Sequence, residues 1–187
     1  MAAHPTLIPF NFEKWVEENA DKLRPPVNNQ LLHSDADMIV MVVGGPNTRM
    51  DFHDDPVNEW FYQVKGDMML KIADGGKIYD VIVREGEVFM LPPHMRHAPQ
   101  RPQEGSIGIV VEAPRYPGMI EGFEWYCFNC EGLVHRAEVE LDDPEGIVTQ
   151  LPKIYDAFHE DEEARTCPHC GTLHPGKGKP PAGWVQL

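Results

Sequence analysis

A dense group of basic side chains follows a short apolar run in residues 86–102, GEVFMLPPHMRHAPQRP. The run VFML ends at two prolines, after which His94, Arg96, His97 and Arg101 fall within positions 94–101. Positive charges at this density repel one another unless an anion, or a metal with an anionic ligand, binds among them. The stretch therefore predicts an anion site or a metal site behind a buried strand. For His94 we expect a plain loop residue, and for Arg96 only surface or outer pairing roles.

A second stretch upstream supplies matching metal ligands. Residues 49–66, RMDFHDDPVNEWFYQVKG, contain His53 and Glu59, while His97 lies on the later stretch. Two imidazoles and one carboxylate are the facial triad that holds non-haem Fe(II) with coordination positions left open. The alternative for either histidine alone is a loop residue bonded to backbone carbonyls. The joint spacing favours the triad.

Strand parity indicates which other side chains face the same site. Arg49 lies four residues before His53, and Arg101 lies four residues after His97. On an extended backbone each arginine therefore shares a face with its histidine. Glu112 ends the run GIVVE on the face that also carries positions 108 and 110.

The acidic run between His53 and Glu59 interrupts this parity. A loop or bulge there would re-aim the two side chains. Asp51, Asp54 and Asp55 also fit a plain solvated turn.

Four cysteines form two CxxC pairs, Cys127 with Cys130 and Cys167 with Cys170. Such pairs predict a tetrathiolate site for Zn or Fe rather than disulfides. The second pair, CPHCG, is a rubredoxin-type knuckle whose glycine permits the tight turn. Three nearby histidines are alternative ligands: His135, His169 and His174. Because the segment between the pairs has few apolar residues, we expect a structural clip rather than a redox centre.

Charge and composition narrow the partners. A net charge of −14 argues against nucleic acid and against anionic membranes, both of which would repel the surface. No apolar run approaches membrane-spanning length, and the N-terminus lacks a signal-peptide pattern. With paired thiols, this composition predicts a cytoplasmic protein.

The pattern of elements predicts a mainly β protein with a short N-terminal helix over residues 10–24. Short apolar or alternating runs from residue 30 to 112, broken by Gly, Pro and Asp, are typical of an antiparallel sandwich or barrel. A helix-like stretch, LPKIYDAFHEDEEAR, lies between the cysteine pairs. We expect residues 1–115 to form the helix and β core, 116–176 a metal-stapled segment packed on it, and 177–187 a flexible tail.

The spacing resembles the two sequence motifs of the cupin superfamily. In the first, His53 and Glu59 match, while Asp55 replaces the second histidine, and six residues separate Glu59 from Gly66. The second motif matches at Gly86, Pro92 and His97, with His94 in place of its glycine and Arg101 in place of its asparagine. These departures from the general motifs, together with Arg49 and the CxxC pairs that follow, resemble the pattern of the 3-hydroxyanthranilate 3,4-dioxygenase family in its bacterial and fungal single-domain form. The resemblance extends from about residue 8 to 176.

That resemblance implies a cupin fold, a double-stranded β-helix or jelly-roll barrel, with a small rubredoxin-like element. It implies an Fe(II)-dependent, extradiol-type cleavage of 3-hydroxyanthranilate by O2, on the kynurenine route to quinolinate and NAD. It assigns iron to His53, Glu59 and His97, and a second Fe or Zn to the four cysteines. Arg49 and Arg101 would bind the substrate carboxylate, and Glu112 the hydroxyl and amine. The family also implies a homodimer.

Two other functions compete with this interpretation. A non-catalytic cupin that senses a small aromatic carboxylate could retain the triad and both arginines. A rubredoxin-like electron carrier is disfavoured, since the cysteines occupy only the C-terminal third of the chain.

Overall fold

The computed structural model describes residues 8–25, 28–34, 36–140 and 144–187. In chain order the elements are α1 (Phe12–Glu18), β1 (Asn29–Leu31), β2 (Ile39–Gly44), β3 (Asp51–Asp54), β4 (Glu59–Lys65), β5 (Met68–Asp74), β6 (Lys77–Val83), β7 (Val88–Leu91), β8 (Arg96–Gln100), β9 (Ile107–Glu112), β10 (Glu121–Tyr126), β11 (Leu133–Val139), α2 (Pro144–Glu160) and α3 (Glu162–Arg165).

The strands form two antiparallel sheets. The five-stranded sheet has the order β1-β2-β9-β4-β7, and the six-stranded sheet has the order β11-β10-β3-β8-β5-β6. The main core is built from apolar side chains of both sheets: Val43, Phe61, Met68, Leu70, Ile72, Val83, Leu91 and Val110. This arrangement confirms the predicted mainly β, cupin-type architecture.

Alternating burial on β4 and β9 shows how the sequence sets the inner face. Every second residue of β9 is buried, and Glu59 opposes Glu112 in the pairing of β4 with β9. Because side chains alternate across a strand, both carboxylates share the face that carries Phe61 and Val110. Two acidic side chains are thereby held on the same inner face as two apolar core residues.

Helix α1 is shorter than predicted. The Asn11 side chain caps its start, but the helix ends at Glu18 rather than continuing to residue 24. Both the backbone N–H and the side-chain amide of Asn19 bond to the carbonyl of Trp15, which terminates the helical pattern.

Strands β10 and β11 continue the six-stranded sheet beyond residue 115, where the sequence predicted the β core to end. Trp125 on β10 stacks on Phe158 of α2, with ring centroids 4.1 Å apart, and Phe123 joins the same cluster. The segment between the cysteine pairs was expected to have few apolar residues, but it contributes Phe158 and several half-buried apolar side chains to this second cluster. The helix-like stretch is confirmed as the end of α2 followed by α3.

The C-terminal tail contacts the core through Trp184. Its ring packs edge-on against Phe52 and Phe128, and the ammonium of Lys71 lies 4.2 Å from the ring centroid. The sequence predicted a flexible tail with no assigned contact. None of the helices in the described ranges combines the length and the apolar character needed to cross a membrane.

Candidate active site

The two sheets deliver the candidate metal ligands from opposite sides. His53 on β3 lies directly opposite His97 on β8 in the six-stranded sheet, whereas Glu59 begins β4 in the five-stranded sheet. The connection between β3 and β4 crosses from one sheet to the other, with the Asp55 carboxylate accepting the N–H of Val57. This crossing is why strand parity fails between His53 and Glu59.

The three ligand side chains converge on one point. His97 Nε2 lies 2.9 Å and His53 Nδ1 lies 4.0 Å from Glu59 Oε1, and one ligand atom from each residue falls within 4.8 Å of the others. Within the described chain Glu59 Oε1 is buried and accepts no well-aligned hydrogen bond. Burial alone would raise the pKa of Glu59, but the neighbouring side chains, His97 foremost and then His53 and Arg115, lower it to about 2. Two imidazole nitrogens and one carboxylate oxygen at these distances can share a single cation.

The outer nitrogen of each imidazole has its own partner. His97 Nδ1 lies 2.9 Å from the carbonyl oxygen of Met95, and His53 Nε2 lies 2.9 Å from Oε2 of Glu121. A proton held on the outer nitrogen leaves the inner nitrogen free to bind a metal. Glu121 lies on β10, a strand absent from the sequence prediction, and no motif singled it out.

Arg115 is a second residue that the sequence did not reveal. It forms ion pairs with Asp55 at 3.0 Å, with Glu112 at 2.8 Å and with Glu121. Asp55, Glu59 and Glu112 also lie close enough to hold a metal. Because Arg115 already neutralises Asp55 and Glu112, the histidine-containing group is the better cation site.

The aspartates do not form a solvated turn. Asp54 and Asp55 are only 3% and 2% exposed. Asp54 pairs with Arg136 at 2.8 Å and with Arg96 at 3.4 Å, while His94 Nδ1 lies 3.1 Å away. The solvated-turn alternative was wrong, because each carboxylate is buried against arginine. Arg96 makes an outer pair of the kind that the sequence predicted, whereas His94, expected to be a plain loop residue, lies beside the Asp54 carboxylate.

Arg101 is a buried cation with no salt-bridge partner among the described residues. It is 2% exposed, and its Nε and Nη2 make no hydrogen bond to any residue that the structure describes. Burial lowers its pKa to about 10. The guanidinium fits there because Gly108 on β9 has no side chain, and a Cβ would lie 3.0 Å from both nitrogens. A buried guanidinium with free donors is a natural binding partner for a carboxylate.

Arg49 and Glu112 complete the polar lining. The Arg49 side chain pairs with Asp51 and donates to the Tyr155 hydroxyl at 3.2 Å. Burial would lower the pKa of Arg49, but the Asp51 carboxylate outweighs it and raises the pKa. Burial raises the pKa of Glu112 to about 7, with repulsion from Glu59 adding to it.

Two connected cavities bring these groups together. The outer one, of about 440 Å³, has an apolar wall that includes Leu31, Ile39 and Met41, within the size range of small-molecule sites. The inner one, of about 120 Å³, reaches Glu59, His97 and Arg101. Arg49, His53 and Glu112 line both cavities. The six side chains singled out from the sequence thus meet in one place.

The four cysteines also meet, at the other end of the sheet. Cys127 Sγ lies 3.5 Å from Cys170 Sγ, and Cys130 Sγ lies 3.7 Å from Cys167 Sγ. Each CxxC pair forms the same knuckle: the residue four positions after the first cysteine donates its backbone N–H to the carbonyl of that cysteine. That position has positive φ in both, at Glu131 and at Gly171. All four sulfurs fall within 4.8 Å of one another, and no histidine belongs to the group among the described residues.

Two antiparallel sheets that enclose a two-histidine, one-carboxylate group define a cupin with a candidate metal centre. A family model described as 3-hydroxyanthranilic acid dioxygenase matches residues 5–159. Two relatives named 3-hydroxyanthranilate 3,4-dioxygenase, from Brucella anthropi and Ruegeria pomeroyi, are 61% and 60% identical, each over 97% of this chain and 98% of the relative. The chain belongs to the 3-hydroxyanthranilic acid dioxygenase family and is a dioxygenase, which confirms the resemblance seen in its motifs.

A solved cupin-2 domain containing protein from Shewanella frigidimarina is 15% identical over 57% of this chain and 94% of that chain, with a TM-score of 0.43. Because that score is low, the fold assignment rests on the strand order and register above.

Proposed function

We propose that the chain cleaves 3-hydroxyanthranilate with O2 in an Fe(II)-dependent, extradiol-type reaction that yields 2-amino-3-carboxymuconate 6-semialdehyde. Its product would feed the kynurenine route to quinolinate and NAD. One observation carries the proposal: the buried guanidinium of Arg101, which no residue in the described part of the chain pairs with, lines the same cavity as the group His53, Glu59 and His97. An aromatic acid that chelates a metal satisfies both features at once.

The donor set fits Fe(II). His53 would offer Nδ1, His97 would offer Nε2, and Glu59 would offer the carboxylate oxygen that accepts no hydrogen bond. A two-histidine, one-carboxylate set with open positions suits iron that must also accept ligands from solution. When bound, Fe(II) would supply the redox centre at which O2 and the substrate's oxygen and nitrogen come together.

The chain's own side chains would bind and orient the substrate. Arg101, with Arg49 beside it, would grip the carboxylate through paired N–H donors, which lysine cannot do. Glu112 would face the hydroxyl and amine, and with a pKa of about 7 it could accept a proton near neutral pH. The apolar wall at Leu31, Ile39 and Met41 would exclude water from the ring.

The four cysteines would hold a second ion, Fe or Zn, as a structural clip. The matched knuckles and the short sulfur–sulfur distances support a tetrathiolate site. An extradiol-type reaction returns both oxygen atoms to the product and needs no external electron, so the proposed chemistry leaves this second ion no redox role.

The proposal includes a cytoplasmic homodimer. The outer face of the five-stranded sheet offers an apolar surface that a second copy would remove from water. Trp60 opposes Met90 and Tyr62 opposes Val88 on that face, with Val88 and Met90 more than half exposed. Light scattering on a size-exclusion column tests the dimer, and a monomer at micromolar concentration would contradict it. Paired cysteine thiols at the metal clip suit a reducing compartment.

The decisive experiment is anaerobic loading with Fe(II), followed by O2 uptake in the presence of 3-hydroxyanthranilate. We expect one O2 consumed for each ring opened, without added reductant. Substrate binding with no O2 consumption by the iron-loaded protein would reject the enzyme and support a sensor of aromatic carboxylates.

A further inference from the structure

The backbone of Arg49 is held by side chains from distant parts of the chain. Arg49 lies in the irregular segment before β3, so it lacks strand pairing of its own. The Gln100 amide accepts the Arg49 N–H at 3.0 Å and donates to the Arg49 carbonyl at 2.8 Å. The indole N–H of Trp184 donates to the same carbonyl at 3.1 Å.

Two donors on one carbonyl fix the direction of the peptide group. A carbonyl oxygen has two lone pairs, and here Gln100 and Trp184 use both. The peptide plane of Arg49 therefore cannot rotate without losing one of them. At the other end of the residue, Asp51 and Tyr155 hold the guanidinium. Backbone and side chain of Arg49 are thus fixed by separate partners.

Trp184 is itself held firmly enough to serve as such a partner. Lys71, which is 5% exposed, lies over one face of the indole, and Phe52 packs edge-on at 6.2 Å. Phe128, which lies between Cys127 and Cys130, packs edge-on at 4.8 Å. The tail is therefore docked on the sheet and on the first cysteine knuckle together. This packing aims the indole N–H at the Arg49 carbonyl, 135 residues away in the chain.

We propose that Trp184 is a positioning residue for substrate recognition: its indole N–H orients Arg49 toward the substrate carboxylate. This rests on the proposed function, in which Arg49 binds that carboxylate. The C-terminal tail then contributes to specificity for the acid without touching the substrate. Binding sites need such supporting contacts because small displacements of a charged group cost affinity.

The test compares Trp184→Phe with the matched control Trp15→Phe, a tryptophan of helix α1. Phenylalanine keeps an aromatic ring facing Lys71 and Phe128 but removes the indole N–H. We measure dissociation constants anaerobically in Fe(II)-loaded protein for 3-hydroxyanthranilate and for 2-aminophenol, which lacks the carboxylate. Loss of one hydrogen bond predicts about 2- to 10-fold weaker binding of the acid. We expect unchanged binding of 2-aminophenol, and no change for either compound in the control.

Repeating the substitution in an Arg49→Ala background separates this inference from the proposed function. We expect Trp184→Phe to have no further effect there. Equal weakening of both compounds, or an undiminished effect without Arg49, would overturn the positioning role. If Arg49→Ala alone leaves binding of the acid unchanged, the assignment of Arg49 to the carboxylate fails instead. Melting temperature and iron content, measured alongside, must match the wild type for the comparison to count in favour.

Discussion

Replacing Arg101 with methionine should weaken substrate binding and stabilise the metal-free protein at the same time. The apolar stem is largely retained, so the change mainly removes the charge. Burial lowers the pKa of Arg101 to about 10, and the ionised side chain therefore costs the folded state about 3 kcal/mol. At neutral pH the group is ionised in both folded and unfolded chains, so this cost is constant there and is relieved only above about pH 10.

The expected magnitudes follow from that cost. Methionine should raise the free energy of unfolding of the metal-free protein by about 1–3 kcal/mol, the remainder being lost to imperfect packing. Binding of 3-hydroxyanthranilate should weaken by about 2–5 kcal/mol, roughly 30-fold to several thousand-fold, because a buried carboxylate loses its partner. Binding of 2-aminophenol should change little.

Urea unfolding at pH 7.5 and anaerobic titration measure the two effects. Arg96→Met is the matched control, since Arg96 pairs with Asp54 and Glu124. Removing Arg96 takes away one of the two arginines that pair with these buried carboxylates, the other being Arg136, and should lower stability while sparing the substrate site. If Arg101→Met destabilises the protein as the control does, or binds the acid normally, then Arg101 is a structural residue and the substrate assignment is refuted.

Two further predictions concern the C-terminal half. Cys127→Ser combined with Cys170→Ser should release one metal and lower the melting temperature. Single-turnover ring opening, measured per iron bound at the histidine site, should stay unchanged. A collapse of that turnover with iron and substrate still bound would mean that the cysteine site supplies electrons. Burial, with nearby cations, lowers the pKa of His174 to about 4. Its stabilising contribution is therefore complete above the ordinary histidine pKa and is lost as the pH falls towards 4. Between pH 7.5 and 5.5 the wild type should lose about 1 kcal/mol more than His174→Asn in urea unfolding, and equal losses would contradict the buried neutral form.

The types, the joint spacing and the cupin-like motifs of the sequence predicted which side chains would lie together, while their roles toward a metal and a substrate stay predictions. His53 and His97 do oppose each other in the sheet. Glu112 was placed by strand alternation and does lie opposite Glu59. These positions follow from a side-chain period of two and from one crossing between sheets, both of which are short-range features.

The supporting residues could not be predicted, because their roles come from long-range contacts. Glu121 reaches His53 across 68 positions, and Trp184 reaches Arg49 across 135. Strand β10 was missed because both of its faces are buried and each carries a glutamate, Glu121 or Glu124, so its sequence lacks the apolar–polar alternation of a half-buried strand. The charge of Glu124 is satisfied by Arg136 on β11, a pairing that only the sheet register reveals.

The most direct test of the proposed iron site is metal content in His53→Ala, Glu59→Ala and His97→Ala, measured beside ring-opening activity. The wild type should bind two metals per chain, one at the cysteines and one between the sheets. Each variant should retain the cysteine-bound metal, lose Fe(II) from the other site and open no ring. An open site has only three protein ligands, so the loss of any one of them should abolish iron binding. Normal Fe(II) content together with near-normal turnover in any of the three would contradict the assignment of that residue to the metal.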